Sequence, residues 1–327
     1  LIQCLATIGQ EDRNLYIIMS FHDDLVTASE IKRAQKISLP IVALESTVLT
    51  HGLPRPQNLQ LARDMERAVR EQGATPATIG FLDGYLHIGM NDAELERLAN
   101  EKEPYKVGPR DFATVITNEA CGGTTVAGTM LACKHANIKV FATGGIGGVH
   151  RESHFDVSAD LHALAGIPMI VVCAGAKAIL DLPATLEVLE TMSVPVIGYG
   201  TDDFPAFYSR ESGLGVTETL DNPQDIVDFA KAHWDAGLQS AVLVANPVPE
   251  AEAIPKSEME PWIEQANTEA REKEIHGKEV TPFLLNRINE LSKGRSMRAN
   301  LSLLLNNARL AAQIARALRH SERRKLA

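Results

Sequence analysis

A few short stretches hold the side chains that could do covalent, acid–base or ion-binding chemistry. Glu45 lies in Ala43-Leu44-Glu45-Ser46-Thr47, inside an apolar run. A carboxyl there must be paired, or stay protonated with a raised pKa, which suits a general acid; a salt bridge at a strand end is the plainer reading. Lys177 closes Val172-Cys173-Ala174-Gly175-Ala176-Lys177. A lysine desolvated at an apolar strand end loses proton affinity and becomes a nucleophilic amine, whereas an ordinary one snorkels to water. Lys106 and Arg110 flank Val107-Gly108-Pro109, two cations at a turn that a phosphate could use together. Asp156 and Asp160 stand four apart, on one face if the segment is helical, and their hard oxygens suit Mg²⁺ or Mn²⁺. An Asp capping a helix start needs no metal.

Two glycine-rich stretches accompany them. Gly122-Gly123-Thr124-Thr125 precedes a helical pattern, so its end offers amides to an anion or is capped by threonine hydroxyls. Gly144, Gly145, Gly147 and Gly148 precede His150 and Arg151. They imply unusual backbone angles or close approach to a ligand. The third glycine of a dinucleotide fingerprint is replaced by His150, which leaves a nicotinamide site weakly supported. His51, in the turn Thr50-His51-Gly52-Leu53-Pro54, carries little weight alone.

The elements that must position these groups alternate. Val- and Ile-rich runs at 41–49, 77–82, 138–143, 169–174, 194–199 and 240–245 read as strands. They barely alternate in polarity, as strands buried on both faces do. Between them lie helical stripes: Leu61, Met65, Ala68 and Val69, closed by Gly73; Val126, Met130 and Cys133; and near the end Leu301, Leu305, Ala308, Ala312 and Ala315. The order predicts a layered α/β fold. Residues 249–280 are charged yet too periodic in apolar positions to be a tether.

The chain has 327 residues, 32 Lys plus Arg against 42 Asp plus Glu, and a net charge of −10. That balance argues against nucleic-acid backbone binding, and 5% aromatic content argues against a base-stacking platform. The basic stretch 320–325 reads as a solvated helix end. No apolar run is long enough to span a membrane and no secretory leader is evident. Cys4, Cys121, Cys133 and Cys173 form no C-x-x-C pair and read as reduced thiols of a cytoplasmic protein. The first methionine is Met19, so residues 1–18 are expected to lie upstream of the functional start. The expected division is an N-terminal extension at 1–38, one catalytic domain at 39–318 and a basic tail at 319–327.

Taken together, Ala43 to Thr47, His51-Gly52-x-Pro54, Pro56-Gln57-Asn58, Lys106-Val107, Gly123 to Ala127, Phe141 to Arg151, Phe155 to Leu161, Val171 to Lys177, Ala245-Asn246-Pro247, Thr281 to Leu285 and Ser296-x-x-x-Asn300 resemble the pseudouridine-5′-phosphate glycosidase, or indigoidine synthase A-like, family. The phrases occur in that family's order along nearly the whole chain. The resemblance implies a three-layer α/β/α fold with a central mixed, mostly parallel sheet and a homotrimer. It implies reversible cleavage of pseudouridine 5′-phosphate to uracil and ribose 5-phosphate, with one divalent cation per subunit, Mn²⁺ or else Mg²⁺. By position, Lys177 matches the Schiff-base nucleophile and Glu45 the proton donor. Lys106, Thr125, Val126, His150, Ser158, Ala159, Asp160 and Asn300 match substrate-binding positions, and Asp156 and Asp160 metal positions. Two departures are the short loop at 151–155 and Gly108-Pro109 after Lys106. A Schiff-base aldolase or a sensor for another sugar phosphate are the competing readings; the acid, carboxylate and lysine together favour an enzyme over a sensor.

Overall fold

The computed structural model describes residues 24–151, 156–275 and 280–326, the side chains of 323–326 excepted. In chain order the elements are β1 (Leu25–Thr27), α1 (Ser29–Lys36), β2 (Ile41–Leu44), α2 (Gln57–Glu71), β3 (Thr75–Leu82), β4 (Tyr85–Ile88), α3 (Asp92–Ala99), β5 (Tyr105–Val107), α4 (Phe112–Thr117), β6 (Gly122–Thr124), α5 (Val126–His135), β7 (Val140–Ala142), β8 (Val149–His150), α6 (Ala159–Gly166), β9 (Ile170–Cys173), β10 (Leu180–Asp181), α7 (Leu182–Thr191), β11 (Val196–Tyr199), β12 (Glu218–Leu220), α8 (Pro223–Asp235), β13 (Val242–Ala245), α9 (Lys256–Glu272), α10 (Val280–Leu291) and α11 (Arg295–Leu326).

The main sheet runs β1-β4-β3-β2-β7-β9-β13-β11-β12, with β6 and then β5 branching from β3. From β3 to β12 every neighbouring pair on that path is parallel. Antiparallel pairing enters only where β3 meets β4 and β6. β2, β9 and β13 are buried at every residue, which explains their unbroken apolar runs. Helices flank the sheet: α11 lies against α2, α8, β7, β2 and β9, while α5 and α6 pack together. The architecture is the expected three-layer α/β/α fold with a mixed, mostly parallel sheet. In such sheets ligands bind beyond the carboxyl ends of the parallel strands, and most of the predicted site residues line cavities there.

Three expectations are corrected. The first strand stops at Leu44, not at 49. Ser46 turns its hydroxyl sideways to the Ile79 carbonyl and takes the Thr124 amide at 3.0 Å. The chain then coils into a π-helical turn over Val48–Gly52, so Glu45 sits just past the strand. The folded unit reaches back before residue 39, because β1 pairs with β4 and α1 buries Ile31 and Ala34. In α11 the buried face is Leu303, Leu304, Ala308, Ala311, Ala312 and Ala315, while Leu301 and Leu305 are only partly covered. The basic stretch from His320 continues this helix. Residues 249–280 contribute α9, with Met259, Ile263, Ala266 and Ala270 buried. Residues 1–18, Cys4 and most of the 151–155 loop lie outside the described residues. Among the described residues, no helix is long and apolar enough to cross a membrane.

Candidate active site

Glu45 and Lys177 reach one cleft from two strand ends. Glu45 follows β2. Lys177 follows β9 after the turn Ala174-Gly175-Ala176, where Gly175 has φ +84° and a Cβ would fall 1.9 Å from the Pro205 carbonyl oxygen; only glycine fits there. The Lys177 amide then donates to the Ile146 carbonyl at 3.1 Å, which fixes where its side chain departs.

Glu45, Thr47, Lys106, Lys177 and Thr281 stand at the seam between two chambers. The smaller is mostly apolar and is lined further by His51, Gly145, Phe207, Leu285, Asn300 and Leu304. The larger, of about 790 Å³, is the more polar of the two and holds Arg110, Thr125, His150, Asp156, Ser158 and Ala159. Burial pushes the Glu45 carboxyl above its ordinary value. The charges of Lys177 and Lys106 and the Thr143 hydroxyl oppose that shift, and Asp160 adds to it. Thr143, at the end of β7, donates its hydroxyl to Glu45 Oε1.

The polar chamber is framed by two helix starts. Thr125 caps α5, accepting the Gly128 amide at 3.2 Å. Ser158 caps α6, accepting the Asp160 amide at 3.2 Å. Both helix starts face the chamber with Lys106 and Arg110 beside them, an arrangement of charge and amides that suits an anion, although the Ala127 amide of α5 is already taken by Asp160. Arg110 is partly answered by Asp111 at 3.8 Å. Val126 is 1% exposed, so its side chain belongs to the core, and only its backbone could meet a ligand.

Asp156 and Asp160 do not share a helix face. Asp156 is exposed ahead of α6, and the His150 amide donates to its carbonyl at 2.9 Å. Asp160 is buried in the first turn of α6. Its Oδ1 accepts the Ala127 amide at 2.9 Å and its Oδ2 the Gly147 amide at 2.8 Å. Asp160 therefore braces α5 against the glycine loop. Among the described residues no group of three His, Cys, Asp or Glu is arranged to hold a metal ion. The donor set on offer is the exposed Asp156 carboxylate near the His150 ring. It fits a cation that keeps most of its own waters, as Mg²⁺ and related ions do. Burial pushes the His150 ring below its ordinary value; Asp156 opposes this and Lys177 and Lys106 add to it.

The glycine loop is explained by crowding. Gly144, Gly145, Gly147 and Gly148 have no positive φ. A Cβ on Gly147 would lie 2.2 Å from Ser158 Oγ and 2.7 Å from Asp160 Oδ2. The neighbours are protein atoms, so the loop is glycine-rich because the site's own walls meet there. Arg151 is not part of the cationic site. It holds the Leu180 and Ala178 carbonyls at 3.1 and 3.2 Å and pairs with Glu260.

The sequence motifs include Thr143 and Asn246 but give neither a role, and they include neither Phe207 nor Asn307. Thr143 and Asn246 each follow an apolar strand directly, and a polar residue in that position was the available signal. Asn307 sits on a helix face with no such mark.

The family described as indigoidine synthase A like protein matches residues 30–317. A pseudouridine-5′-phosphate glycosidase of Caldanaerobacter subterraneus subsp. tengcongensis is 50% identical over 290 residues, 88% of this chain and 94% of that protein. One from Solibacter usitatus is 52% identical over 288 residues, 88% of this chain and 96% of its own. Among solved structures, an indigoidine synthase A-like protein from Thermotoga maritima superposes with a TM-score of 0.83 at 36% identity, covering 90% of this chain and 96% of that one. The prealnumycin C-glycosynthase AlnA, solved with ribulose 5-phosphate, superposes with a TM-score of 0.85 at 38% identity, covering 92% and 98%. With its motifs in order, its sheet shared and near-complete relatives at about half identity, the chain belongs to the indigoidine synthase A-like family.

Proposed function

We propose that the protein reversibly cleaves the carbon–carbon glycosidic bond of pseudouridine 5′-phosphate, giving uracil and ribose 5-phosphate. The observation that carries this reading is the placement of an acid with a raised pKa, Glu45, and an amine, Lys177, at the seam of an apolar and a cationic chamber. The names of the close relatives and the sugar phosphate bound by AlnA point the same way.

The apolar chamber, with Phe207 and Asn300, suits the flat base, Asn300 offering amide atoms to its edge. The cationic chamber suits the phosphate: Lys106, Arg110, Thr125, the Val126 backbone, Ser158 and Ala159 supply charge and helix-start amides. Remote phosphate contacts orient the sugar at the seam. As the C1′–O4′ bond opens its pair leaves on O4′, which takes a proton, and the Lys177 amine bonds to C1′ and gives up a proton in turn. The C1′–C5 bond then breaks. Glu45 protonates C5 as that bond goes, the bonding pair restores the C5–C6 double bond of uracil, and the nitrogen lone pair forms the iminium. Water hydrolyses the iminium, releasing ribose 5-phosphate and the free lysine. Asp156, with His150 beside it, would hold Mn²⁺ or another divalent cation. When bound, that ion supplies a Lewis acid for ordered water in the larger chamber.

The reading includes a homotrimer, supported by the family resemblance, and a cytoplasmic location, which suits the free thiols Cys121, Cys133 and Cys173. The likeness to AlnA favours one second reading, carbon–carbon bond formation between a sugar phosphate and another carbon acid. Incubation with pseudouridine 5′-phosphate and Mn²⁺ tests the first reading. Uracil and ribose 5-phosphate are expected in equal amounts; no uracil from the metal-loaded protein overturns it. Sedimentation would report the trimer.

A further inference from the structure

We infer that Asn307 is a positioning residue that ties the acid's strand end to the nucleophile's. It is 0% exposed, on the face of α11 that otherwise buries Leu303, Leu304, Ala308 and Ala311. Both ends of its amide are used. Nδ2 donates to the Thr143 carbonyl at 2.8 Å, and Oδ1 accepts from Asn246 Nδ2 at 3.0 Å. The Asn246 backbone amide donates to the Cys173 carbonyl at 2.8 Å, at the end of the strand that leads to Lys177. On the other side the Thr143 hydroxyl holds Glu45. An unbroken polar line therefore runs Glu45, Thr143, Asn307, Asn246, Cys173, across the ends of β2, β7, β13 and β9.

The line sits where the β2–β7 ladder ends, although the Thr143 amide still donates to the Val172 carbonyl of β9 at 3.0 Å. β2 and β7 are in register up to Leu44 opposite Ala142, so their ladder ends just short of Thr143. A buried amide left without partners loses its water and gains nothing in return. Asn307 is therefore stable only while the Thr143 carbonyl faces it, and the rest of Thr143 is held with that carbonyl. Its hydroxyl is then aimed at Glu45 Oε1, which leaves Oε2 to carry the transferred proton. The catalytic part of this inference rests on the function proposed above.

The test compares full-length wild-type protein with Asn307→Asp and Asn246→Ser, all with Mn²⁺ and pseudouridine 5′-phosphate. Uracil release by the wild type is the control, and its absence defeats the functional reading rather than this one. In Asn307→Asp the ionised carboxylate cannot donate to the Thr143 carbonyl. This substitution is therefore expected to lower kcat about 10–100-fold with KM little changed, the scale of a misplaced catalytic group. Part of the loss should return as pH falls and the new carboxyl becomes a donor. Asn246→Ser should lower kcat in the same direction, and it decides the matter if Asn307→Asp does not fold. A folded variant with a lower Tm but wild-type kcat and pH profile overturns the inference, because that is the signature of a merely structural amide.

Discussion

The Thr143 hydroxyl donates to Glu45 Oε1, so one oxygen of the acid is held while burial keeps the whole carboxyl above its usual range. The two influences oppose each other, and burial is the larger. Glu45 acts as a proton donor only when protonated. With its pKa raised, cleavage should persist above the ordinary carboxylate range and fall as pH rises through the shifted value. Thr143→Val removes one of the downward influences, so the same limb of the kcat profile should move to still higher pH. Thr143→Ser should leave it in place. An unmoved limb in Thr143→Val would mean that another group controls it.

Acid and nucleophile should separate cleanly by substitution. Lys177→Ala should lose turnover and also lose the adduct trapped by borohydride with ribose 5-phosphate, read by peptide mass. Glu45→Gln should slow cleavage by about 10²–10⁴-fold, the usual reach of a positioned acid. It should still trap the sugar, because imine formation at Lys177 does not need a proton at C5. A trapped adduct in Lys177→Ala would move the nucleophile elsewhere.

The two aspartates should fail differently. Asp160→Asn turns one of two backbone-accepting oxygens into a donor facing an amide, so it should cost about 1–3 kcal/mol of stability, read as a lowered Tm without metal. Asp156→Asn touches an exposed carboxylate. It should leave the apo-protein Tm alone and weaken Mn²⁺ binding, measured by calorimetry. The reverse pattern would return the metal to Asp160.

Gly147→Ala tests the crowded loop. Its Cβ would press on Ser158 and Asp160, both fixed by hydrogen bonds. About 1–3 kcal/mol of destabilisation is expected from such overpacking, with weaker binding of ribose 5-phosphate. Gly166→Ala, where a Cβ meets nothing within 4 Å, is the control and should melt no lower than wild type.

Arg151→Gln probes the turn that carries the lysine. Arg151 ties the Ala178 and Leu180 carbonyls to Glu260 of α9. Loosening that tie should lower kcat and the yield of trapped adduct together. Full activity would show that the β8–β10 pairing alone holds the turn.

The buried parallel strands were legible because Val and Ile runs without alternation have few other uses. A mixed sheet is implied by the resemblance, but the residues that form its antiparallel strand β4 carry a signal the apolar runs do not. Asp83 and Gly84, with φ of 51° and 80°, join β3 to β4, and Asp-Gly is a strong two-residue hairpin turn. Glu45, Lys177, Lys106 and His150 could be picked out because each is an ionisable group beside an apolar or glycine-rich stretch, and the structure gathers them in one cleft. The bracing role of Asp160 is not legible, because spacing reveals a carboxylate but not the amides it faces. Asn307 could not be read at all, since the meaning of an asparagine on a helix depends on which strand end lies opposite.

Helix α11 is synthesised after every strand and after both Glu45 and Lys177, yet it carries Asn300 and Asn307. While the chain emerges from the ribosome, the lysine's strand can already be paired while the wall beside it and the tether behind the acid are still missing. On the proposed mechanism, Lys177 thus lacks a fully positioned Glu45 until that helix docks. Chains that end before this helix should therefore release no uracil, even where their lysine still takes up a sugar.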